Sequence, residues 1–298
     1  MKPLIVRDKY QLDLRLGSGS YGEVYQGHDI ETGEEVALKL EYSQVSPSQL
    51  GNEVEIYKKL DGGHGIPRVY WYGSECEFRV MAFELLGPSL EDLFNYCDRK
   101  FSLKTVLLLV DQLIPRFQHI HSKGYIHRDI KPDNLLMGVG TQGNTVYTTD
   151  IGLAKEIEDP DRRTYSVVGT LRYASINAHL RKEQSPHDDM ESLGYQGLKC
   201  KSKDKEKIIL QKKQQAEECG LFEGASIEFK KYFELIRSGK ELDYGRLRRL
   251  FRGLFCRQHF QYDNVFDWTI RMFQEKLKAE QETSEAEQNT PEAEQETN

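Results

Sequence analysis

The run His127-Arg128-Asp129-Ile130-Lys131-Pro132-Asp133-Asn134 places three charge types and an amide within one short loop. It directly follows a long apolar helical pattern, where burying charge without purpose is expensive. Asp129 can accept or align a hydroxyl proton. Lys131 can neutralise a transferring phosphoryl group, and Asn134 offers an amide oxygen to Mg2+. His127 reads as structural, because no nucleophile for acyl transfer accompanies it. Downstream, Asp150-Ile151-Gly152 ends the strand-like run 146–149. A carboxylate at a strand end suits a hard cation, so Asp150 and Asn134 are expected to share Mg2+ bridging ATP phosphates. Asp133 receives no metal role, since it is expected to face away from the Asn134 side of the turn. A polar surface turn is the competing reading of the loop, and it weakens as the neighbouring motifs accumulate.

Gly17-Ser18-Gly19-Ser20-Tyr21-Gly22 lies between two candidate strands. Glycines there let the backbone approach phosphates with its amides turned toward the anion. Alone, the run fits a tight structural hairpin equally well. It opens no helix and lacks a terminal Gly-Lys-Ser/Thr, which excludes a dinucleotide fingerprint and a P-loop. Lys39 ends the apolar strand Val36-Ala37-Leu38, and the next helix carries Glu53 and Glu55. Either glutamate could hold the lysine toward a phosphate, because the two project about 200° apart and spacing does not choose. His119 and His121 alternate near a helix end and read as structural rather than as metal ligands.

These groups need elements to position them. Alternating segments 10–16, 23–28, 35–40, 69–72 and 78–83 predict strands, and 48–60, preceded by Pro47 and stopped by Asp61-Gly62-Gly63, predicts one helix. From Ser89 the period changes. Ser89 and Asp92 have capping-box spacing, and Ser102 can cap a longer helix in which Pro115 is expected to bend or locally reorganise the backbone. Segments 228–236, 242–255 and 263–277 read as helices too. A strand-rich front and a helical rear imply an α+β chain of two lobes with a seam near 84–90. The segment 279–298 carries seven glutamates, no basic residue and little to bury, which predicts disorder in preference to an isolated helix.

Composition agrees with a globular chain: 38% of the 298 residues are apolar and 30% charged. No uninterrupted apolar run spans a bilayer, and the start is too soon charged for a secretory signal. The five cysteines are widely spaced, so neither a disulfide framework nor a zinc site is indicated, and a reduced intracellular setting is expected. The net charge of −7 is contributed by the tail, leaving residues 1–278 formally neutral. Neither nucleic acid nor membrane is indicated as a partner.

The ordered set Gly17–Gly22, Val36-Ala37-Leu38-Lys39, Glu53, His127–Asn134 and Asp150-Ile151-Gly152 resembles a eukaryotic protein kinase. More narrowly, the stretches from Leu85-Leu86-Gly87-Pro88 to Phe94, Lys100-Phe101-Ser102-Leu103, Gly169-Thr170-Leu171-Arg172-Tyr173-Ala174-Ser175-Ile176-Asn177 and Phe266-Asp267-Trp268 resemble the casein kinase 1 family. The likeness runs from about residue 8 to 273. It implies a bilobal kinase-like domain over 10–278, with a small antiparallel-sheet lobe at about 10–86 and a mainly helical lobe at about 87–278. It also implies transfer of the γ-phosphate of Mg-ATP to serine or threonine. Carried onto this chain, Gly17, Ser18, Gly19, Ser20, Tyr21 and Gly22 would cover the phosphates, with Lys39 held by Glu53. Glu84, Leu85 and Leu86 would form the adenine-facing hinge, and Leu16, Val24, Ala37 and Leu136 would sandwich the ring. Asp129 would orient the acceptor hydroxyl, Lys131 stabilise phosphoryl charge, and Asn134 with Asp150 hold magnesium. Arg172 matches the family's anion-binding arginine, which implies protein substrates with acidic or phosphorylated residues near the acceptor. Its lysine partners would come from the run Lys199, Lys201, Lys203, Lys205 and Lys207, whose register against the family is ambiguous. A mainly cytoplasmic location, open to nuclear entry, is the expectation.

The chain also departs from that family. Ile151 replaces the middle aromatic of Asp-Phe-Gly, Thr149 precedes it where an apolar residue is usual, and Phe83 takes the gatekeeper position. The segment 159–168 is shorter than the family's activation loop. After Asp189 through Tyr195 the chain passes straight to Gln196-Gly197-Leu198-Lys199, omitting an apolar helical stretch, so the central helix of the rear lobe is expected to be short. Asp189 is expected to bond the backbone near His127. Two classes compete: an active kinase that retains every phosphoryl-transfer side chain, and a kinase-like ATP-binding or scaffold protein whose chemistry the shortened lobe impairs.

Overall fold

The computed structural model describes residues 4–19, 22–158, 168–197, 206–215 and 224–288. Its front is one antiparallel sheet built from β1 (Ile5–Val6), β2 (Tyr10–Gly19), β3 (Gly22–Asp29), β4 (Glu35–Tyr42), β5 (Val69–Glu75) and β6 (Phe78–Glu84), in the order β1-β2-β3-β4-β6-β5. Period-2 alternation divides β4 between two layers. Val36, Leu38 and Leu40 pack with Val80 and Ala82 on one side, while Ala37 and Lys39 face the other.

Helix α1 (Gln49–Leu60) crosses that second face, capped by Ser48, whose Oγ accepts from Gly51 N at 2.9 Å. The buried Glu41 carboxylate accepts from Gln49 N at 2.9 Å and Leu50 N at 3.1 Å. A carboxylate there satisfies orphan amides and complements the helix dipole. It therefore fixes the rotation of α1 relative to β4, and with it the direction in which Glu53 points.

The rear is helical. The capping box of Ser89 and Asp92 starts α2 (Leu90–Tyr96), and Ser102 caps α3 (Leu103–Ser122), whose helix continues through Pro115. Two short ribbons follow: β7 (Tyr125–Ile126) pairs with β10 (Lys155–Glu156), and β8 (Leu135–Met137) with β9 (Val146–Thr148). The loop 127–134 hangs between β7 and β8. Then come α4 (Ile176–His179), α5 (Pro186–Gly194), α6 (Glu206–Gln214), α7 (Ile227–Ile236), α8 (Tyr244–Arg257) and α9 (Asp267–Gln288). Asp111 on α3 accepts from Arg248 Nε at 2.8 Å and Arg252 Nε at 2.6 Å, joining α3 to α8. A core reaching from Leu50 and Val54 through Phe117 and Ile120 to Phe255 and Phe266 runs beneath both lobes. Among the described residues no helix is long and apolar enough to cross a membrane.

Two expectations need correction. Helix α9 begins at Asp267 rather than Asp263, because Asp263 is engaged in an ion pair with Lys104 at 2.7 Å. The same helix runs on to Gln288, so the boundary at Lys278 is not a structural break and the segment 279–288 is helical. Its Ala, Glu, Gln and Lys residues are strong helix formers, and Arg271–Glu275 at 3.0 Å and Lys276–Glu280 at 3.9 Å add i,i+4 pairs.

The short central helix α5 ends at Gly194 and is followed by one 3-10 turn, Tyr195–Gly197. Polar ties replace part of the omitted packing. Arg237 Nε donates to Glu191 Oε1 at 3.1 Å, and the Tyr195 hydroxyl donates to the same oxygen at 2.7 Å. Gln196 Nε2 donates to Ile130 O at 3.0 Å, linking the end of α5 to the 127–134 loop.

Candidate active site

Lys39 Nζ lies 2.7 Å from Glu53 Oε2 and 3.0 Å from Asp150 Oδ1. Glu55 points outward instead and pairs with Lys58. Burial alone would lower the Lys39 pKa, but the charges of Glu53 and Asp150 outweigh it and hold the ammonium above the ordinary lysine value. Burial pushes Glu53 up, opposed by Lys39. Asp150 is more exposed; burial raises its pKa, yet Lys39 pulls it below the usual carboxylate range. Asp150 itself sits in the left-handed region at φ 56°, ψ 54°, which turns its carboxylate toward Lys39. Ile151, fully buried, starts a 3-10 turn that packs against α1, so it fills the core position expected of an aromatic.

Across the cleft, Asp129 collects donors on both oxygens. Oδ1 accepts from Thr170 N at 2.8 Å and from Thr170 Oγ1 at 2.9 Å. Oδ2 lies 3.0 Å from Lys131 Nζ and 3.3 Å from Asn134 Nδ2. Burial lowers the Lys131 pKa, and the Asp129 charge more than reverses that. Asn134 Nδ2 also donates to Asp129 O at 2.9 Å. With its amide nitrogen committed, Asn134 keeps Oδ1 as an acceptor. Thr149 N and Oγ1 both donate to Asn134 O, at 2.9 and 3.2 Å, and His127 Nε2 meets Thr149 O at 3.1 Å. Thr149 thus splices Asn134 to the residue next to Asp150, a bond that an apolar side chain could not make through Oγ1. Asn134 Oδ1 and the Asp150 carboxylate are oxygen donors of the kind that hard divalent cations take. Asp133 is exposed.

The loop is hung from Asp189 on α5. Its Oδ2 accepts from His127 N at 2.6 Å, and its Oδ1 from Arg128 N at 2.9 Å. His121 Nε2 lies 2.9 Å from Oδ2, and His121 Nδ1 lies 2.6 Å from the Tyr244 hydroxyl. His119 faces Leu60 O at 3.1 Å, so both histidines of α3 serve as connectors.

Over the cleft, β2 and β3 pair through Gly17↔Val24 and Gly19↔Gly22, with Leu16 exposed at a bulge. Gly22 has φ +126°, and a Cβ there would stand 2.0 Å from Leu40 O, so only glycine fits. The Ser18 and Gly19 side chains, Ser20 and Tyr21 lie outside the residues described in detail, as do Lys199, Lys201, Lys203 and Lys205. Val24 pairs with Lys39 and Ala37 with Phe83, which places Val24, Ala37 and the gatekeeper on the strands that carry the lysine. At the seam, Leu85 and Leu86 are half-buried, and the neighbouring Gly87 N donates to Met137 O at 2.8 Å. The Glu84 carboxylate accepts from the Tyr147 hydroxyl at 2.9 Å and Arg68 N at 3.2 Å. Leu136 is half-buried on β8.

A family model described as protein kinase domain matches residues 10–220. The chain belongs to the protein kinase family. Membership makes ATP the phosphoryl donor and a protein the acceptor for this kinase. The sheet-rich front and helical rear are the two lobes of the kinase fold, with the residues above facing each other across its cleft.

Several contacts of the kinase were not predicted. Thr170 lies far along the chain from Asp129, and the readable signal is Gly169, whose φ of +92° lets the backbone pass where a Cβ would stand 2.4 Å from Arg128 O. Lys213 on α6 is buried and donates to Leu171 O at 3.1 Å and Ala174 O at 2.6 Å, tying down the segment after Thr170. Nothing in the lysine spacing marks it. Arg172, half-buried, sits 5.4 Å over the Tyr173 ring, and its Nε is buried without a hydrogen-bond partner among the described residues.

Proposed function

We propose that this kinase is of the casein kinase 1 type and transfers the γ-phosphate of Mg-ATP to serine or threonine hydroxyls next to acidic or phosphorylated residues. The carrying observation is one carboxylate, Asp129, held by Thr170, Lys131 and Asn134 across from the Lys39–Asp150 pair at 3.0 Å. Asp129 would align the acceptor hydroxyl and draw on its proton, and Lys131 would stand beside the phosphoryl oxygens. Gly17 to Gly22 would close over the phosphates, with Glu53 keeping Lys39 in reach of them. Leu16, Val24, Ala37 and Leu136 would sandwich the adenine at the Glu84–Leu86 hinge. Magnesium, held through Asn134 Oδ1 and Asp150, would offset the negative charge of the triphosphate. The serine/threonine and acidic-acceptor assignments rest on the casein kinase 1-like stretches, Arg172 among them.

The deciding experiment offers the purified full chain labelled Mg-ATP with an acidic serine peptide and its tyrosine counterpart. Transfer to serine that disappears in Asp129→Asn supports the reading. Equal label with wild type and Asp129→Asn, or transfer to tyrosine alone, would overturn it.

Asp150→Ala removes one oxygen donor and one of the two partners of Lys39. Its affinity for Mg-ATP should fall by at least about 10-fold, measured by calorimetry. An unchanged affinity would count against the metal role. Arg172→Ala should selectively weaken use of phosphate-primed peptides, by about 10-fold in kcat/KM relative to unprimed ones. Equal losses on both would reject the anion site.

A further inference from the structure

Below the catalytic loop, where α5 stops early, the helical lobe contains a pocket of about 720 Å3. Helices α2, α3, α5, α7 and α8 all contribute to it, and its walls are largely apolar, with Phe94, Leu109, Leu113, Phe229 and Phe251 among them. A volume of this size lies inside the range of about 300–1,000 Å3 typical of small-molecule sites, which pair apolar walls with a few convergent polar groups.

The charged groups among the described lining residues are all cationic. Arg99, Lys100 and Arg172 line the pocket, and no carboxylate is among the described lining residues. Arg99 is already matched by Glu91 at 2.9 Å. Among the described residues, Arg172 Nε is buried with no acceptor, and Gln196 Oε1, also lining the pocket, is buried with no donor. Arg172 sits 5.4 Å over the Tyr173 ring, and both residues line the pocket together with Arg99 and Lys100 of the α2–α3 corner. A buried guanidinium nitrogen without an acceptor is costly unless an occupant supplies one.

We infer that this pocket binds a single-chain anionic amphiphile, a long-chain carboxylate. Its head accepts hydrogen bonds from Arg172, near Lys100, while its aliphatic chain lies along the apolar helices. Gln196 Oε1 accepts from a water carried in beside the head. The inference stands apart from the acceptor reading, because the binding measurement contains no acceptor peptide and its nucleotide arm uses an analogue that cannot transfer phosphate.

The test is calorimetric titration of the full chain with oleate below its micelle concentration. One saturable site is expected, with affinity unchanged by a saturating non-hydrolysable ATP analogue. Oleyl alcohol, equal in chain length but uncharged, should bind at least about 10-fold more weakly, as should oleate to Arg172→Gln. Val110→Trp, which fills the pocket from α3, should abolish binding. The exposed Lys100→Gln variant keeps the test open if either of those fails to fold, and it should weaken oleate by about threefold. Absence of saturation, many equivalent sites, equal affinity for the alcohol, or displacement by the nucleotide analogue would each overturn the proposal. Co-sedimentation with anionic phospholipid vesicles without free oleate binding would point to a membrane surface and overturn it too.

Discussion

Asp129→Asn should lower phosphoryl transfer by about 10²- to 10⁴-fold, the range set by losing a positioned proton acceptor. Nucleotide affinity should stay within about twofold, because Lys39, Glu53 and Asp150 are untouched. The amide can still accept from Thr170 through one oxygen, so the 169–174 segment keeps its place, whereas Lys131 loses its counter-charge. Single-turnover kinetics with saturating ATP separate the two effects. A variant with near-normal turnover would remove Asp129 from the reaction, and one that lost nucleotide binding in parallel would show that the residue acts on the cleft as a whole.

Asp189→Asn is expected to have the largest effect on stability. The carboxylate is 2% exposed and accepts two backbone N–H bonds, besides facing His121 at 2.9 Å. An amide presents a donor where one backbone N–H already points, leaving a buried clash and an unpaired partner. Breaking such a site costs about 3–5 kcal/mol, a large share of the ~5–15 kcal/mol that holds a domain together. Urea unfolding followed by circular dichroism measures it. The pH dependence has a definite sign. Burial raises the Asp189 pKa, but His121, His127 and the backbone donors bring it below the ordinary 3.8. A depressed folded value means that the stabilisation is complete above the unfolded pKa and is lost as pH falls through the folded one. The gap between wild type and Asp189→Asn should therefore narrow only below about pH 4. A gap that stays constant into strong acid would show that the carboxylate charge is not what holds the loop.

Local patterns carried much of this structure. Ser89 and Ser102 cap helices where their spacing predicts, and the alternation of β4 separates its core face from the lysine face. The choice between Glu53 and Glu55 was not local. It depends on how Glu41 grips the first amides of α1, a contact between two elements that periodicity in either one does not encode. Thr170 and Lys213 escaped for the same reason, since each acts on a backbone or carboxylate that only the folded chain brings near. The extent of α9 was misjudged because scarcity of apolar residues was weighed above helix propensity and paired charges.

The ammonium of Lys39 spends two of its N–H bonds on Glu53 and Asp150, so the cleft is latched by its own side chains. In the proposed function, Asp150 would serve a cation at full strength only once unfastened from Lys39, and Lys39 would reach a phosphate oxygen best once that fastening loosens. Release at either residue therefore favours release at the other. By thermodynamic reciprocity, whatever the metal gains from a nucleotide already in place, the nucleotide gains equally from the metal.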